Sequence, residues 1–223
     1  MSLHNAAGFL MCARIRRCLR LPALPLCAAG LTLLLLAIGA SRHPYFQWDL
    51  SVSTAIQEVS HPAFHALMYW TSYPGNQLNA WIFGLAVGIA LILTRRGTEG
   101  LVLLAGTSSG ALVNAVLKVL VDRPRPDETL IQVWIDYPAA SFPSGHVMFY
   151  VQLFGFLCWI AWRSGRPVAA LLSGVPVLLV GPSRVYLGAH WASDVLGGYL
   201  GGVLWLVPMI WLQQVLERRS RSS

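Results

Sequence analysis

Apolar residues dominate this chain in long uninterrupted blocks, and short polar clusters separate them. Residues 21–40 and 195–216 carry no charge at all. Such runs match the roughly 20 helical residues needed to cross a hydrocarbon core. Six spans are expected, at 21–40, 76–94, 100–121, 145–162, 167–188 and 194–216. Between the first two, Val52, Ala55, Ile56 and Val59 recur at helical spacing beside Ser51, Ser53, Gln57 and Glu58. This pattern predicts an amphipathic helix lying in the membrane interface. Tyr45, Phe46, Trp48, Tyr69, Trp70 and Tyr73 flank it as an aromatic belt. The only long connection, 122–143, begins Asp122-Arg123-Pro124-Arg125-Pro126, whose prolines end a helix and stiffen the exit. No repeat, soluble domain or linker interrupts the pattern. The expected fold is therefore all-α: one polytopic membrane domain over 1–223, a bundle of six transmembrane helices with an interfacial helix.

Composition agrees, with 56% hydrophobic and 11% charged residues. A net charge of +7 could suggest nucleic acid, but the basic residues form no single patch. Arg14, Arg16, Arg17 and Arg20 precede the first span, Arg95 and Arg96 follow the second, Arg163 and Arg166 the fourth, and Arg218, Arg219 and Arg221 the sixth. That alternation is the positive-inside pattern and places both termini in the cytoplasm. The other five cations, Arg42, Lys118, Arg123, Arg125 and Arg184, fall on the outer side. An anionic substrate there explains charges that run against the topology bias. Cys12, Cys18, Cys27 and Cys158 lack ligand-like spacing, so neither a disulfide framework nor a zinc site is expected. The first apolar run could be a cleaved signal peptide; its length and cationic flank favour a retained anchor.

Three segments concentrate the chemistry. Lys118, the sole lysine, shares a helical face with Thr107, Ala111 and Asn114, which would turn polar groups toward the bundle interior. A snorkelling interfacial lysine is the plain alternative. Arg125 and Arg184 could be interfacial anchors, yet the guanidinium fork also matches phosphate oxygens. Pro143-Ser144-Gly145-His146 stands where a loop enters the fourth span. Amides in a first helical turn lack helical partners and can face an anion. His190 and Asp194 are four residues apart, hence on one helical face. A carboxylate beside an imidazole fixes its tautomer and leaves the other nitrogen free to attack.

In their order and spacing these segments resemble the three signature motifs of the type 2 phosphatidic acid phosphatase superfamily, which includes lipid phosphatases and vanadium haloperoxidases. The match runs from 118 to 194, and the six-span layout resembles the membrane branch. Val147 and Met148 stand where smaller residues are frequent in that family. The resemblance implies that Lys118, Arg125, Arg184, Ser144 and Gly145 hold the phosphate. It further implies that His190, oriented by Asp194, attacks phosphorus to form a phosphohistidine, and that His146 protonates the leaving oxygen and then activates water. The cations would take the electrostatic role that a magnesium ion plays elsewhere, so no metal or cofactor is expected. His190 must then be neutral while His146 is protonated, which implies a bell-shaped pH dependence.

A lipid phosphate or diphosphate follows as the substrate class, on the outer face of a bacterial inner membrane. Undecaprenyl diphosphate is the favoured substrate, with phosphatidylglycerophosphate and phosphatidic acid as alternatives. Two readings of other kinds are a haloperoxidase and a non-enzymatic lipid carrier or binding protein. Gly197, Gly198, Gly201 and Gly202 could pack within the bundle or between subunits.

Overall fold

The computed structural model describes residues 23–222. Arg14, Arg16, Arg17, Arg20, Cys12, Cys18 and the first residues of the expected first span lie outside the described residues. So does the N-terminal end whose cytoplasmic location the charge pattern implied.

Eight α-helices are found among the described residues: α1 (Ala23–Arg42), α2 (Gln47–Gln57), α3 (Pro62–Ser72), α4 (Gln77–Leu93), α5 (Gly97–Val121), α6 (Gly145–Arg163), α7 (Pro167–Tyr186) and α8 (Ala192–Ser222). Helices are the natural form for such runs, because every backbone polar group must be satisfied internally in hydrocarbon. Five of them, α1, α5, α6, α7 and α8, are long and apolar enough to cross a membrane. The expected second span is the 17-residue α4. It reaches spanning length together with the α3 segment, from which it is bent by 68°.

α6 lies at the centre, packed against α5, α7 and α8. Val102, Leu103, Leu153, Phe156, Ile160 and Met209 form one core cluster toward the Arg163 end of α6. Val147, Tyr150, Val151, Val180, Val185 and Val195 form another toward its Gly145 end. The α8 glycines pack inside the bundle. A Cβ on Gly198 would lie 2.7 Å from the Ser144 carbonyl, and one on Gly202 would lie 2.7 Å from Val151. Small residues therefore bring α8 against α6 where the site is built.

The segment 43–75 carries two helices, with α2 as the expected amphipathic one. Its inward side is mixed: Asp49 and Ser53 are buried and Ile56 packs against the second core cluster, whereas Val52 is exposed. α4 and α5 converge at one end, where a Cβ on Gly100 would lie 2.6 Å from the Gly88 carbonyl. Toward Gln77 and Val119 they part, and a cavity of about 940 Å³ opens between them and α6.

Candidate active site

Lys118, Arg125, Gly145, His146 and His190 line one end of this cavity. Ser144, Arg184 and Asp194 are fully buried behind them. The last turn of α5 presents Lys118, whose ammonium donates to the carbonyls of Ala140 and Ser141. Asp122 then adopts a left-handed conformation, φ 46°, that ends the helix. Arg125 follows on the proline-stiffened exit. Its Nε donates to the Ala139 carbonyl at 2.7 Å, and its Nη1 approaches His190 Nε2 at 3.3 Å.

The contact between Arg125 and His190 defines the tautomer. A guanidinium can only donate, so Nε2 of His190 accepts and carries a lone pair. The proton of the neutral ring then sits on Nδ1, which lies 3.3 Å from the Ser141 hydroxyl. Ser141 in turn donates to Asp194 Oδ2. Asp194 itself is 3.7 Å from Nδ1, so the carboxylate orients the imidazole through Ser141 rather than by direct hydrogen bonding. Burial foremost, then the positive charges of Arg125, Arg184 and Lys118, hold the His190 imidazolium well below the usual histidine range. The neutral form therefore prevails at neutral pH.

Asp194 accepts two further hydrogen bonds, from the Trp191 amide at 2.9 Å and from Arg123 Nη1 at 2.6 Å. Arg123 also donates to Asp49 Oδ2 at 2.8 Å and to Ser193 Oγ at 2.6 Å. Asp49 receives the Ser193 amide at 2.7 Å. α2 thereby ties the start of α8 to the loop after α5, all at zero side-chain exposure for the charged groups.

Arg184 stands on the last turn of α7, and its backbone carbonyl accepts the amides of Ala189 and His190. Gly188, with φ +68°, closes that turn. A Cβ there would lie 2.2 Å from the Gln132 carbonyl, so only glycine fits. The Arg184 side chain donates from Nη1 to Ser72, while its Nε and Nη2 have no partner. The Ser144 hydroxyl is also buried and unpartnered, and it does not cap α6. Buried donors of this kind are rare unless a ligand completes them. The ring of Tyr137 lies 5.1 Å from the Arg125 guanidinium and 5.3 Å from that of Arg184. Its hydroxyl donates to Asn76 Oδ1 at 2.8 Å, and the same oxygen lies 3.1 Å from His146 Nε2.

Every residue singled out in the three motifs thus converges on one end of the cavity. Motif spacing did not reveal Asp49, Asn76, Arg123, Tyr137 and Ser141. Arg123 alone carried a signal, as one of the outer cations opposed to the topology bias.

The family model described as PAP2 superfamily matches residues 99–218. The chain belongs to the PAP2 superfamily. Phosphatidylglycerophosphatase B of Bacillus subtilis (strain 168) is 28% identical over 177 residues, covering 77% of this chain and 86% of its own. Decaprenylphosphoryl-5-phosphoribose phosphatase of Mycobacterium tuberculosis (strain ATCC 25618 / H37Rv) is 32% identical over 182 residues, covering 74% and 92%. The crystal structure of a transmembrane PAP2 type phosphatidylglycerolphosphate phosphatase from Bacillus subtilis superposes with a TM-score of 0.72 at 26% identity, covering 83% of this chain and 94% of that one. This chain is therefore an integral membrane member of the PAP2 superfamily, and these relatives are phosphatases.

Proposed function

We propose that this protein is a lipid phosphatase that removes a terminal phosphate through a phosphohistidine on His190, at the outer face of a bacterial inner membrane. One observation carries the reading: Arg184 Nε and Nη2 and the Ser144 hydroxyl are buried without protein partners, behind the end of the cavity where His190 Nε2 faces Arg125. A tetrahedral phosphate supplies the missing acceptors.

In the first step Nε2 attacks phosphorus, the bond to the lipid oxygen breaks, and His146 gives that oxygen a proton. Lys118, Arg125 and Arg184 carry the charge on the nonbridging oxygens, assisted by first-turn amides of α6 such as that of Gly145. As Nε2 bonds to phosphorus the ring becomes cationic, and Ser141 and Asp194 stabilise it through Nδ1. In the second step His146 takes a proton from water, the water oxygen bonds to phosphorus, and the phosphorus–nitrogen bond breaks to release inorganic phosphate.

The cavity supports a lipid substrate. It descends from Lys118 to Leu104 on α5, about 21 Å at 1.5 Å per residue, and apolar residues such as Trp81, Ile82 and Leu85 line it. Undecaprenyl diphosphate, phosphatidylglycerophosphate and phosphatidic acid each offer a terminal phosphate to the same cradle, so the cavity below it must separate them. The test is phosphate release from a panel of these lipids by purified protein with chelator present. Activity in wild type and its loss in a folded His190→Ala are expected. Full activity of His190→Ala, or an absolute need for a divalent ion, defeats the mechanism.

A further inference from the structure

Below the phosphate cradle the cavity wall does not become uniformly apolar. Gln152 on α6 is only 1% exposed, lines the cavity, and leaves its carboxamide Nε2 without a hydrogen-bond partner. Gly110 on α5 makes room for it, since a Cβ there would lie 2.2 Å from that nitrogen. Polar groups at such depth in a membrane protein mark function more often than packing.

Two neighbouring polar side chains already have partners. Asn114 Nδ2 donates to the Pro143 carbonyl at 3.2 Å, and the Thr107 hydroxyl donates to Leu103 at 2.8 Å. Gln152 lines the same cavity and carries a buried donor nitrogen that no protein acceptor takes.

We infer that Gln152 forms a subsite for an acyl-ester carbonyl of the substrate, which selects a diacylglycerol phosphate over a polyprenyl phosphate. The inference rests on the lipid phosphatase reading and names the substrate class within it. Its geometry is consistent. Gly110, which marks the level of the amide, precedes Lys118 on α5 by eight residues, about 12 Å along the axis. In a diacylglycerol phosphate the ester carbonyl oxygen lies about six bonds from phosphorus, roughly 8 Å when extended. A hydrogen bond adds about 3 Å. A polyprenyl chain has no acceptor at that depth and would leave the amide unpaired, which a site built to donate penalises.

The experiment compares kcat/KM of the purified full-length protein on three probes: dioleoyl phosphatidic acid, its dialkyl ether analogue without ester carbonyls, and a polyprenyl monophosphate. Wild type should prefer the diester over the diether by about tenfold, the value of one hydrogen bond. Gln152→Leu should bring that ratio close to one, chiefly through KM. Gly110→Ala, which retains the glutamine but displaces its amide, should also lower the ratio and serves if Gln152→Leu does not fold. Equal rates on diester and diether in wild type overturn the subsite while leaving the phosphatase intact, as does a preference that survives both substitutions. Absence of phosphate release from all three probes overturns the underlying reading and the subsite with it.

Discussion

Arg123 Nη1 donates to Asp194 Oδ1 at 2.6 Å, with both side chains fully buried. The same guanidinium holds Asp49 at 2.8 Å. Asp194 is thus fixed from behind by a cation that does not line the cavity, and its other oxygen is left to face Ser141. Removing one member of a buried ion pair leaves an uncompensated charge and costs about 3–5 kcal/mol. Arg123→Ala strands two carboxylates and should lower stability by at least that amount. Thermal unfolding in detergent measures it, and a loss below about 1 kcal/mol would place the network in solvent-like surroundings.

Ser141 is a positioning residue between Asp194 and His190. Ser141→Ala should lower kcat by about tenfold, one hydrogen bond's worth, with little change in KM. Ser141→Thr, which retains the hydroxyl, should recover most of the rate. Loss of kcat in both variants alike would indicate packing rather than orientation.

The pH dependence follows from the sign of the His190 shift. Its conjugate acid is held below the usual value of 6.5, so the reactive neutral form persists at pH values where an ordinary histidine is half protonated. The acid limb of kcat/KM should lie below pH 6.5. Arg125→Gln removes a nearby repelling charge and should move the limb of the residual activity upward. A limb that stays in place would show that Arg125 does not influence this titration.

Tyr137 bridges Arg125 and Arg184 through its ring and reaches Asn76 through its hydroxyl. Tyr137→Phe should largely retain KM, because the ring stays against both guanidinium groups. Tyr137→Leu should raise KM by about fivefold, as expected for the loss of cation–π contacts worth about 1 kcal/mol. Lipid phosphatase kinetics in mixed micelles separate the two variants.

The spans were readable because apolar run length and helical backbone satisfaction are local properties. Boundaries such as Gly145–Arg163 follow the expected 145–162 closely. α4 was less transparent: 17 residues fall short of a full crossing, and the bent α3 segment that extends it lies where the sequence offered no helical pattern of its own. The inward placement of Asp49 and Ser53 on α2 was equally hidden, since the periodicity of Val52, Ile56 and Val59 says which residues share a face but not what each face meets.

By itself the sequence determined the residue types of the site and the helix ends that carry them, because motif order and apolar patterning are written along the chain. Tertiary structure decided which groups partner them. Asp49 and Ser193 are 144 residues apart, and Asn76 meets His146 across 70. A buried charge or donor must be matched by whatever lies nearest in space, in a medium where an unmatched one is costly. Only folding brings Arg123, Ser141 and Tyr137 to those positions.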